Sequence, residues 1–186
     1  RAKAGGGVGV TITGKGSGDG LGIADYTLRT VEQEASAAHT ISYTCALALL
    51  AALAAEIGGD DEVPRALDAL PDQLAFLLGQ EAWEDLAARF ADRRRYYFVG
   101  GGPNSATALE AALKMSEANH AIAAGFGCEQ FLHGPYCAMT REDVLFVVAP
   151  PGRAYERCLM AAQAARAIGA PVVALVRDGD RDIAPL

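Results

Sequence analysis

Apolar positions along the chain fall into short β-branched runs and longer helical stretches that alternate. Residues 8–13 read Val-Gly-Val-Thr-Ile-Thr, which predicts a buried strand, and 26–30 predict another. Between them, 14–22 is a glycine-rich loop. Residues 40–57 are apolar nearly all round and predict a helix buried inside the protein and ended by Gly58-Gly59. Two amphipathic helices are expected over 63–79 and 82–91, after an acidic, glycine-containing surface loop or linker at 58–64.

A second set of elements opens at 96–99, a strand followed by a turn at 100–105 in which Asn104 or Ser105 is available as N-cap. A helix over 107–119, a strand at 144–149 closed by Pro150-Pro151, a helix over 154–168 ended at Gly169 and a strand at 171–176 complete it. Strands alternating with helices predict an α/β fold, a doubly wound parallel sheet with helices on both faces.

Residues 2–13 resemble residues 165–176: a helix tail, a glycine break and an apolar strand recur in order. Farther on, Gly22-Ile23-Ala24 echoes Asp182-Ile183-Ala184. The expected organisation is two tandem subdomains, both truncated: 1–58 as the end of the first, 59–92 as connecting helices, and 93–186 as the second. By the repeat, about 70 residues of the first copy are expected upstream of Arg1, which makes the chain a fragment or a truncated gene product.

Composition narrows the function. The chain has 186 residues, 51% hydrophobic and 21% charged, enough apolar content for a folded core. A net charge of -7 and a pI near 4.9 disfavour a nucleic-acid partner. The longest uncharged apolar stretch, 41–55, falls short of a bilayer span, so no membrane partner is expected. Cys45, Cys128, Cys137 and Cys158 show no C-x-x-C or zinc-ligand spacing, so they are expected to be reduced and metal-free, in keeping with a cytoplasmic protein.

Four clusters hold candidate chemistry. Glu110, Lys114 and Glu117 stand at i, i+4 and i+7, on one face of a helix. His133-Gly134-Pro135 fixes a sharp turn that holds an imidazole, an acid or base near neutrality. The Gly100–Ser105 turn, with Gly101, Asn104 and Ser105, has the strand-to-helix form that aims backbone N–H groups at an anion. Glu32, Glu34, Ser36, His39, Thr40, Ser42, Tyr43 and Thr44 offer carboxylate and hydroxyl groups that suit a sugar. Each cluster also has a plainer reading: a surface ion pair, a structural turn, a packing turn, and a helix cap at Ser36 or Thr40.

Taken together, the Gly-Gly-Gly…Ala-Leu-Glu-Ala-Ala-Leu-Lys-Met-Ser-Glu stretch at 100–117 and Glu-Gln-Phe-Leu-His-Gly-Pro at 129–135 resemble the sugar isomerase (SIS) family. The resemblance is to double-SIS proteins: the isomerase domain of glucosamine-6-phosphate synthase and related sugar-phosphate deaminases and deglycases. Residues 34–44 resemble the end of a first SIS subdomain. The resemblance implies a phosphorylated sugar or amino sugar as ligand and aldose–ketose isomerisation coupled to amino transfer or deamination. It implies no metal or organic cofactor, and a homodimer with shared active sites. Glu117 matches the base that moves a proton between C1 and C2 of the open-chain sugar, and His133 the group that helps open the ring. Lys114 and Glu110 match positions that line or support the site, with Glu34, Ser36 and His39 as substrate neighbours. The sequence departs from the family where His39 replaces a serine and where Glu129 stands four rather than three residues before His133. The family's serine/threonine-rich phosphate loop would lie before Arg1. The alternative is a non-catalytic sugar-phosphate-binding module or an inactive fragment.

Overall fold

The computed structural model describes residues 3–16, 24–31 and 34–184. Most of the predicted loop at 14–22, Glu32 of the polar cluster, and Ala2, Gly22 and Ile23 of the repeat lie outside the described residues. The chain divides into two compact units, Arg1–Glu81 and Ala82–Leu186.

In the first unit, β1 (Val10–Thr13) pairs in parallel with β2 (Tyr26–Arg29), with Val10 opposite Tyr26 and Thr13 opposite Arg29. The expectation of a buried strand fails here. Val8 and Val10 are 69% and 49% exposed, because two parallel strands alone offer no layer to cover both faces. Gly6 (φ 77°) precedes β1 as Gly169 (φ 88°) precedes β6, both in the left-handed conformation that glycine adopts without penalty.

Helix α1 (Ile41–Gly58) ends at the left-handed Gly59, as expected, and packs on α2 (Glu62–Leu78), which continues through Pro71. The prediction of a buried helix is not met, for Ala55 is the only residue of α1 that is buried. Ile41, Leu47, Leu50 and Ile57 stay exposed, since an all-round apolar helix needs neighbours on every side and α2 covers one stripe. By length and composition alone, the 18-residue α1 could also cross a membrane.

The second unit is a four-stranded, all-parallel sheet in the order β4-β3-β5-β6. Its strands are β3 (Tyr96–Gly100), β4 (Ala123–Gly127), β5 (Val144–Ala149) and β6 (Val172–Val176). β3 is central and buried at every residue, and its side chains alternate between two cores. Tyr96 and Phe98 pack with Phe90, Ala108 and Ala112, beneath α3 (Ala82–Phe90) and α4 (Asn104–Asn119). Tyr97 and Val99 pack with Phe131, Cys158, Ala161 and Ala165, beneath α5 (Cys128–Leu132) and α6 (Tyr155–Ile168). Helices on both faces of a parallel sheet bear out the α/β expectation.

Among the strands and α-helices, β4 and α5 have no counterpart in the prediction. β4, Ala-Ala-Gly-Phe-Gly, lacks the β-branched residues that mark a strand, and α5 is only five residues long. The weak composition of β4 has a packing cause. A Cβ on Gly125 would stand 2.5 Å from the Ala108 carbonyl oxygen and 2.6 Å from the Leu109 Cα, so only glycine lets α4 lie against this strand.

Candidate functional site

Helix α4 turns Ala108, Ala112, Met115 and Asn119 toward the sheet and an apolar cleft of about 820 Å³ beside α3. Glu110, Lys114 and Glu117 lie on the opposite side of the helix, flanked by the exposed Leu109 and Leu113. The Lys114 Nζ is 2.6 Å from Glu117 Oε2 and 3.5 Å from Glu110 Oε1, and all three side chains are at most one-third exposed. The hydrogen bond to Glu117, followed by the field of both carboxylates, outweighs desolvation and raises the Lys114 pKa, so the group stays an ammonium.

His133 ends α5 and lies 3.3 Å through Nε2 from Glu129 Oε2, one helical turn back. Arg157, on α6, holds the other oxygen of Glu129 at 2.6 Å. Sequence reasoning missed Arg157, because a partner 28 residues from Glu129 leaves no local pattern. His133 is 79% exposed and faces outward.

These two clusters do not meet within one chain. α4 runs back from the carboxyl end of β3, so Glu117 lies near the amino ends of the strands. β4 then runs forward and delivers His133 past the carboxyl ends. A five-residue strand spans about 16 Å, which separates the two groups by the height of the sheet.

The turn after β3 is governed by packing. A Cβ on Gly101 would stand 2.3 Å from the Ala154 Cβ, and one on Gly100 would stand 2.1 Å from the Asn104 carbonyl oxygen. Neither Asn104 nor Ser105 caps α4, contrary to expectation: the helix begins at Asn104, and the Ser105 hydroxyl bonds back to the Gly100 carbonyl at 3.1 Å.

In the first unit Glu34 caps α1, in place of Ser36 or Thr40. Its carboxylate accepts from the backbone N–H groups of Thr40, Ile41 and Ser42 and from the Ser42 hydroxyl, at 2.8 to 3.2 Å. The Ser42 N–H bond leads the causes that bring its pKa down to about 2, with burial opposing and the remaining bonds assisting. His39 Nδ1 lies 3.8 Å from Glu34, and the Ser36 hydroxyl bonds locally, with the Ala38 N–H and carbonyl. Among the described residues, no group of three metal-ligating side chains is present.

The model of the SIS domain matches residues 89–186, more than half of the chain. The chain belongs to the SIS-domain family. Among SIS relatives, glutamine–fructose-6-phosphate aminotransferase (isomerizing) of Pyrococcus horikoshii is 31% identical over 163 residues, 84% of this chain and 27% of that protein. The enzyme of the same name from Thermococcus kodakarensis is 32% identical over 166 residues, 82% of this chain and 27% of that one. This chain thus spans about a quarter of the length of these curated relatives. A candidate phosphosugar isomerase from Silicibacter pomeroyi superposes with a TM-score of 0.80 at 25% identity, over 93% of this chain and 53% of that one. The SIS match covers one SIS region, and that region carries both the Glu117 and the His133 clusters.

Proposed function

We propose that this SIS chain is part of an enzyme that binds a phosphorylated sugar or amino sugar and interconverts its aldose and ketose forms, coupled to transfer or loss of an amino group. The observation that carries this proposal is the Glu110–Lys114–Glu117 cluster, held on a face of α4 turned away from the core. Support comes from relatives whose names state an isomerizing aminotransferase. Glu117 takes the proton from the carbon next to the carbonyl and returns it to the neighbouring carbon. Lys114 supplies a fixed positive charge for the oxyanion that forms between those two steps. Glu110 holds the ammonium from the other side.

His133 is proposed to open the sugar ring by proton transfer at the ring oxygen. One chain holds it at the opposite end of the sheet from Glu117, which favours a homodimer in which His133 of one copy serves Glu117 of the other. The Gly101, Asn104 and Ser105 turn and the exposed Ser36 and His39 are proposed substrate neighbours. Glu34 contributes by fixing the 34–42 segment rather than by contact.

The test is solvent deuterium exchange at C2 of a 6-phosphorylated aldose, followed by NMR with the full-length protein. Glu117→Gln is expected to leave sugar-phosphate affinity within a few-fold and to reduce exchange by about 10²–10⁴-fold. Retained exchange in Glu117→Gln refutes the assignment. Binding with no exchange by the unaltered protein makes it a sugar-phosphate-binding module.

A further inference from the structure

Cys128 opens α5 and Cys158 lies in the second turn of α6, and their sulfurs are 3.3 Å apart as free thiols. Both residues are buried, 4% and 1% exposed. The Gly101 turn lies over them: a Cβ on Gly101 would be 3.4 Å from the Cys128 sulfur. The next residues along, Glu129 and Arg157, form the 2.6 Å ion pair between the same two helices. A buried sulfur pair and an exposed ion pair thus run side by side from α5 to α6.

Two features separate this pair from ordinary core cysteines. A disulfide has an S–S length of about 2.05 Å, so the sulfurs need approach by only about 1.3 Å. The two thiols are also hydrogen-bonded to each other, either sulfur being able to donate, and Cys158 has a second partner in the Val148 carbonyl at 3.5 Å. The thiolate is the nucleophile in thiol oxidation, so whichever thiol of the pair ionises first makes the attack.

We propose that Cys128 and Cys158 form a redox-active dithiol that a peroxide closes to an intramolecular disulfide, clamping α5 to α6. One thiol of the pair loses its proton and its sulfur attacks one peroxide oxygen, the O–O bond breaks, and the leaving oxygen departs as water with the proton of the other thiol. That second sulfur then attacks the sulfenic acid, the S–S bond forms, and the hydroxyl leaves as the second water with the proton that the first thiol gave up. Two thiols are oxidised and one hydrogen peroxide is reduced to two waters. A dithiol of this kind suits a compartment in which disulfides form transiently and are reversed by thiols. The clamp acts on the short helix that carries Glu129 and ends at His133. It depends on none of the chemistry proposed for Glu117.

The experiment treats the protein with hydrogen peroxide, beside a Cys45→Ser/Cys137→Ser variant that retains only the buried pair. Intact mass, peptide mapping and amide hydrogen exchange are then read before and after addition of dithiothreitol. The expected result is a loss of two hydrogen masses, a peptide linking Cys128 to Cys158 in both proteins, and reversal by dithiothreitol. Amide exchange over 129–138 is expected to slow several-fold in the oxidised form. Oxygen added at Cys137 alone, with Cys128 and Cys158 still open to alkylation in denaturant, overturns the dithiol. A disulfide that forms while exchange over 129–138 is unchanged overturns the clamp.

Discussion

Lys114 is held between two carboxylates of its own helix, 2.6 Å from Glu117 and 3.5 Å from Glu110. An i,i+4 pair on a solvated helix contributes only about 0.3–0.5 kcal/mol, so fold stability gives little reason for this arrangement. A reaction that builds negative charge beside a base gives a better one. Lys114→Met is expected to lower the rate of C2 proton exchange by about 10²-fold in the full-length protein. Its thermal unfolding should move little at neutral pH. Calorimetry and exchange kinetics on the same sample check both parts, and an unchanged rate refutes the role.

Asp143 is fully buried and meets Arg95 through two parallel bonds of 2.9 and 2.8 Å, with the Thr140 N–H and hydroxyl completing its partners. Burial pushes its pKa up, but Arg95 and Thr140 more than offset this and leave it below the ordinary aspartate value. A depressed carboxylate stabilises the fold above its unfolded pKa, and that contribution is lost as pH falls through the folded value. Asp143→Asn is expected to cost about 3 kcal/mol at pH 7, because it leaves Arg95 without its counter-charge. The cost should shrink below about pH 3.8, as denaturant titrations over that range will show.

Gly125→Ala is expected to destabilise the second unit by about 2–3 kcal/mol, from the clash of the new methyl with Ala108 and Leu109. Because α4 must shift to relieve the clash, C2 exchange should fall as well. Urea unfolding and exchange assays give the two numbers. Tolerance of alanine with full activity runs against the packing described for β4.

Glu34→Gln removes the charge that receives the N-terminus of α1. Glu34 is held down to about 2, so its contribution is present above the unfolded value of 4.5 and fades as pH falls toward 2. The unaltered protein should therefore lose α1 helicity over that window, and Glu34→Gln should show less helix at neutral pH and a flatter acid response. Far-UV circular dichroism of the two proteins checks this.

The strands and helices that carry their own pattern were legible from the residues. β3 and β5 are apolar runs, α6 ends on Gly169, and α1 ends on Gly59, each within a residue or two of its predicted bounds. β4 was not legible, because Gly125 is dictated by the backbone of α4 at Ala108 and Leu109, 17 and 16 residues earlier in the chain, and tertiary contact overrides strand propensity. The burial of α1 was misjudged because apolar composition states what a helix needs, not what is present to cover it. The Glu110–Lys114–Glu117 face was legible because helical spacing alone brings those residues together. Arg157 and the Cys128–Cys158 pair were not, since their partners are set by how α5 meets α6.

The two-faced character of α4 restricts how this protein can change over generations. One inserted or deleted residue between Ala108 and Glu117 would rotate everything beyond it by about 100°, driving charge toward the sheet and alanine toward solvent. Point substitutions on either face can be tried singly, but the length of this helix cannot drift. In natural variants, insertions should therefore collect in the connections around α4 and leave the helix at a fixed count.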